Sequence, residues 1–136
     1  MNEEYIDLAV AGLHLTGQPL NHQLTGIGGF LKNTGKTKNK YHMYLIEDTR
    51  GIKPALIRVP YNQEGFGYDV EIWSIPISKL GNFLSQIPAP LGLGKVELQD
   101  ESTVTGIICE PCMLMEGKDI SGFPGWKGYL AHLNSN

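Results

Sequence analysis

This sequence predicts an α+β fold: a small mixed or antiparallel sheet, closed into a barrel, with flanking helices. Two observations carry that expectation. About six short runs are rich in β-branched and aromatic residues, and a single segment has clear helical spacing. Hydrophobic residues make up 41% of the chain and charged residues 18%, which excludes intrinsic disorder. The 136 residues are read as one domain, 1–136, long enough to bury a core without disulfides or a structural metal.

Residues 5–12 read as a buried strand interrupted by Asp7. The next stretch, 13–24, mixes leucines with two His, an Asn, two Gln and a Pro, and reads as a loop over the core ending in a short helical turn. Strands are expected at 41–47, 55–59 and 66–75. The apolar positions Leu80, Phe83, Leu84 and Ile87 predict a helix over 78–87, with Ser78 as N-cap and Pro88 as stop. Residues 94–98 and 103–108 read as a hairpin. Trp126, Tyr129, Leu130 and Leu133 give a second helical spacing in the tail.

The charges exclude several classes of function. Net charge is −3, so nucleic acid is not expected as a partner. From Lys32 to Arg58 there are seven basic residues and two acids, a net of +5 against −8 for the rest. The densest part, Lys32, Lys36, Lys38 and Lys40, is read as a solvated loop. No run of 18 apolar residues exists, so no membrane span is expected. The acidic start, with Glu3 and Glu4, is unlike a signal peptide and points to the cytoplasm.

Familiar catalytic motifs fail on spacing. Residues 29–37 resemble a phosphate loop, but five residues separate Gly29 from Gly35 where four are needed, and no helix follows. There is no G-x-S-x-G nucleophile turn. Cys109 and Cys112 form a CxxC without an evident helix behind it and without two further ligands for zinc. They are read as ordinary reduced cysteines, and neither metal nor cofactor is expected.

The candidate site residues lie around the polar loop. His14 and Glu71 are the candidate proton carriers. Glu71 shares a strand face with Trp73, where an apolar setting would raise its pKa. Asn21, Gln23 and the backbone near Leu15 can donate hydrogen bonds, while Arg58 has the planar fork that suits a carboxylate. Neutral donors among leucines suit a small amide, carbamate or carboxylate ligand.

The stretch 10–24, Val-Ala-Gly-Leu-His-Leu-Thr-Gly-Gln-Pro-Leu-Asn-His-Gln-Leu, resembles the opening of the C-terminal domain of allophanate hydrolase. Further similarity follows in order: Lys53-Pro54, Leu56 to Val59, Val70 to Trp73, residues 87–94, Cys109-Glu110-Pro111, Asp119-Ile120 and residues 125–130. The resemblance implies a γ-glutamylcyclotransferase-like fold with a pocket behind the first strand and loop. It also implies a place in urea degradation, where an amidase domain deaminates allophanate and this domain decarboxylates the N-carboxycarbamate product without a cofactor. On this reading the chain is a stand-alone domain whose substrate comes from a separate amidase-type protein. The alternative is a non-catalytic docking module for such an enzyme, and a homodimer is compatible with either. The stretch 84–90 contains no acid, so the glutamate that cyclotransferases of this fold use is absent, and γ-glutamyl cyclisation is not expected.

Overall fold

In the computed structural model, residues 3–135 are described, and they form two sheets and four short helices. The strands are β1 (Tyr5–Val10), β2 (Phe30–Lys36), β3 (Tyr41–Asp48), β4 (Gly51–Arg58), β5 (Asp69–Pro76), β6 (Leu91–Glu97), β7 (Thr103–Cys109) and β8 (Lys118–Asp119). The helices are α1 (His22–Thr25), α2 (Leu80–Ser85), α3 (Met113–Glu116) and α4 (Trp126–Asn134). The larger sheet has the order β2-β5-β1-β7-β6, and the smaller has the order β4-β3-β8.

β1 is central because its end is apolar on both faces. Leu8, Ala9 and Val10 are all buried, as expected for a strand covered on both sides. It pairs antiparallel with β5, Val10 opposite Glu71, and parallel with β7, Ala9 opposite Gly106. A side chain at Gly106 would press on Val96 and on the Ala9 carbonyl, so the close approach there requires glycine.

The sheets do not close into a barrel, which corrects that part of the expected architecture. β2 and β6 are the two edges of the larger sheet and form no ladder with each other. Just beyond those two strands the single bridge Thr37–Leu98, with Lys38 N–H donating to Glu97 O and Gln99 N–H to Lys36 O, touches the edges together at one end, and the bridge Tyr41–Phe66 ties β3 to the segment before β5. The core includes Leu8, Tyr41, Met43, Tyr68, Ile72, Phe83, Val96 and Trp126. Its buried phenols are satisfied: the Tyr68 hydroxyl donates to the Ser121 carbonyl at 2.9 Å, and the Tyr41 oxygen accepts the Glu97 N–H at 3.0 Å.

Three local expectations are revised. The lysine-rich segment is not a free loop, because Phe30–Lys36 is an edge strand on β5 with a register shift between Leu31 and Asn33. Its side chains are almost all exposed, so its polar composition carries no strand signal. β4 starts at Gly51, upstream of the expected strand, and includes Pro54. Proline lacks an N–H, but β4 is an edge strand and pairs only with β3. Ser78 is not a cap, because a 3-10 turn, Ile77–Lys79, leads into α2, and the Ser78 hydroxyl donates to Glu3 at 2.7 Å.

Candidate functional site

Between β1 and α1 the chain folds into a tight loop closed by its own backbone. Leu15 N–H donates to Gly12 O at 3.1 Å, Gln18 N–H to Leu15 O at 2.9 Å and Leu20 N–H to Leu13 O at 2.9 Å. The loop puts His14 into the interior. Its Nε2 donates to Gln23 Oε1 at 2.8 Å, and the ring stands edge-on to Phe83 with centroids 5.3 Å apart. With the Gln23 amide so oriented, Nδ1 carries the lone pair of the neutral ring. Asn21 Nδ2 braces the loop by donating to the His14 carbonyl at 2.8 Å.

His14 and Gln23 line a cavity of about 330 Å³, at the small end of the ~300–1,000 Å³ range of ligand pockets. Its other walls come from Ile52, Pro54 and Leu56 of β4, from Met43 of β3 and from Gln86 to Pro88 after α2. The charged rim comes from the β3–β4 hairpin: Asp48, Arg50 and Lys53. Lys53 Nζ lies 3.3 Å from Asp48 Oδ2, and the Arg50 N–H donates to Asp48 Oδ1 at 2.8 Å. The Arg50 backbone bond, helped by Lys53, holds the Asp48 carboxyl below its ordinary pKa. Gly12 makes this junction possible, since a Cβ there would collide with Pro54 Cγ.

Burial pushes the His14 imidazole below its ordinary pKa. The Gln23 hydrogen bond opposes that shift, and the nearby His22 reinforces it. Folding therefore favours the neutral ring. The resulting stabilisation is complete above the unfolded value of about 6.5 and is lost as pH falls from there through the depressed folded pKa. In an NMR titration the His14 ring is expected to show a midpoint below 6.5. A midpoint for His14 above 6.5 would contradict this.

Of the six sequence-derived candidates, the structure brings His14 and Gln23 together at the cavity and places the other four elsewhere. The Leu15 N–H is occupied by Gly12, and Asn21 is turned to the backbone. Glu71 lies on the other side of the loop, on a second depression of about 600 Å³ that Leu15, Lys36 and Trp126 also line. Its Oε1 accepts from Thr16 N at 2.8 Å, Thr16 Oγ1 at 3.0 Å and Trp73 Nε1 at 3.1 Å. The indole expected to desolvate Glu71 thus donates to it. Arg58 is at the far end of β4, with Nη1 2.6 Å from Glu97 Oε2; Lys40 and Lys38 approach the other oxygen at 3.2 and 4.0 Å.

The arginine at the cavity is Arg50, which the sequence reading did not select. The signal available was its position: Asp48-Thr49-Arg50-Gly51 is the turn between two expected strands, the place where a loop residue is presented by a rigid hairpin. Cys109 is buried and its thiol is pushed up to about 12, chiefly by desolvation, so it carries no thiolate at neutral pH. Among the described residues no cluster of His, Cys, Asp or Glu is arranged to hold a metal, and no helix is long and apolar enough to cross a membrane.

The fold is that of the γ-glutamylcyclotransferase-like proteins. A γ-glutamyl cyclotransferase superposes with a TM-score of 0.56 over 79% of this chain at 12% identity, a likeness of fold alone. Residues 6–131 match the family described as the allophanate hydrolase C-terminal domain, and the chain belongs to that family. It is 37% identical over 134 residues to a urea amidolyase of Lachancea kluyveri, covering 96% of this chain and 7% of that protein. The allophanate hydrolase of Kluyveromyces lactis superposes with a TM-score of 0.88 at 34% identity, over 98% of this chain and 22% of that one. A uropathogenic E. coli-specific protein superposes with a TM-score of 0.85 at 32% identity, over 95% of this chain and 98% of its own.

Proposed function

We propose that the His14 cavity binds a small N-carboxylated compound, N-carboxycarbamate, and assists its decarboxylation. The observation that carries this reading is the pairing of a buried, neutral imidazole with an amide partner inside a small, mostly apolar cavity whose rim holds a cation. Membership of a family named for allophanate hydrolase supplies the substrate class. Amide hydrolysis of allophanate by an amidase leaves a nitrogen carrying two carboxylates. In decarboxylation the C–N bond to one of them breaks, its electron pair stays on nitrogen, and the nitrogen takes up a proton. Carbon dioxide and carbamate are the products. In this reading His14 carries that proton. Gln23 fixes the ring orientation through Nε2, and the apolar walls exclude water. Glu71 acts at one remove, as the anchor that ties the loop to β5 through Thr16.

The test is thermal unfolding with and without malonate, which places two carboxylates on one carbon and cannot react under these conditions. Malonate at 100 times its dissociation constant is expected to add about 2.7 kcal/mol, a rise of several degrees in Tm for a domain of this size. His14→Gln is expected to reduce the shift. No shift with malonate would turn the reading towards a docking module.

A further inference from the structure

Four residues lining the cavity can carry charge: His14, Asp48, Arg50 and Lys53. Asp48 and Lys53 neutralise each other across 3.3 Å at the rim. The Arg50 guanidinium has no ion pair or side-chain hydrogen bond among the described residues, although its residue lines the cavity. Among the described residues no carboxylate is hydrogen-bonded or ion-paired to His14. It faces Gln23, the Phe83 ring and the nearby His22, with Gln86 further round the wall. The cavity thus holds a net charge of about +1 with a neutral imidazole and about +2 with a protonated one, counting the side-chain charges at full ionisation.

A ligand with two carboxylates brings two negative charges into a lining that is mostly apolar. If it entered alone, one carboxylate would be left without a counter-charge, and an uncompensated ion in such a setting is strongly disfavoured. We infer that Arg50 anchors one carboxylate of the ligand and that a dicarboxylate enters together with one proton, which His14 takes up. The inference rests on the reading of the cavity as a carboxylate site. It makes Arg50 a specificity-determining residue and makes binding itself the step that loads the proton.

The charge balance then holds on both sides of the reaction. Before it, the dianion faces Arg50 and a protonated His14. Afterwards the proton is on the ligand nitrogen, the carbamate has a single negative charge, carbon dioxide is neutral, and Arg50 faces a neutral His14. A monocarboxylate matches the cavity without a proton, so the two ligand classes differ in proton uptake as well as affinity.

Calorimetric titration at pH 7.0 in HEPES and in Tris, whose ionisation enthalpies differ, measures that uptake directly. Malonate is expected to take up more than half a proton per molecule bound, and monomethyl malonate, of similar shape with one charge, close to none. Arg50→Gln, at an exposed hairpin position, is expected to weaken malonate at least tenfold while the uptake per bound malonate persists. His14→Gln is expected to abolish the uptake. Malonate binding without proton uptake, or with Arg50→Gln at wild-type affinity, overturns this inference and leaves the carboxylate cavity standing. Failure of both ligands to bind overturns the two together.

Discussion

Replacing His14 with glutamine is expected to return carbon dioxide release from N-carboxycarbamate to its uncatalysed rate, a loss on the order of 100-fold for a positioned proton carrier. Glutamine is chosen because it can still donate to Gln23 Oε1, so no buried acceptor is orphaned. What it loses is the ring edge against Phe83 and the titratable nitrogen. The expected cost in stability is about 1 kcal/mol. Single-turnover kinetics and a melting curve on the same sample separate the two effects. A folded His14→Gln protein that keeps the wild-type rate would make the ring a structural group.

Gly12→Ala is expected to lower stability more than His14→Gln does. Gly12 has no unusual backbone angle, so the cost is steric: a methyl group would overlap Pro54 Cγ in the middle of β4. Either the loop or the hairpin must move, and overpacking of this kind costs about 1–3 kcal/mol. That corresponds to roughly 3–12 °C in Tm for a chain of this length. The same displacement separates His14 from the hairpin that carries Arg50, so malonate affinity is expected to fall in parallel. An unchanged melting temperature would show that the contact between loop and hairpin is slack.

How much of this was legible in the sequence depends on what each residue faces. β1 and β5 are buried at consecutive positions where they cross the core, β3 and β7 carry runs of aromatic or β-branched residues, and all four were readable as strands. β2 was not, since an edge strand with exposed side chains has no need of an apolar pattern. The start of β4 was hidden by Pro54, which an edge position tolerates. At the site, His14 and Gln23 were recoverable because the loop that carries them is local. Arg58 and Arg50 carry the same guanidinium eight positions apart on one hairpin, and only the pairing register shows which end meets the loop. Tyr41 opposite Arg58 lies at one end and Asp48 opposite Gly51 at the other. Glu71 is comparable, because its strand was correctly read but its face is decided by Thr16, 55 residues away.

The most direct test of the central claim is the rate of carbon dioxide release from N-carboxycarbamate. An amidase acting on allophanate generates the compound in place, and carbon dioxide is followed with increasing amounts of this protein. The account predicts release that accelerates in proportion to the protein added and is suppressed by malonate. A time course identical with and without the protein, at every concentration, would contradict it.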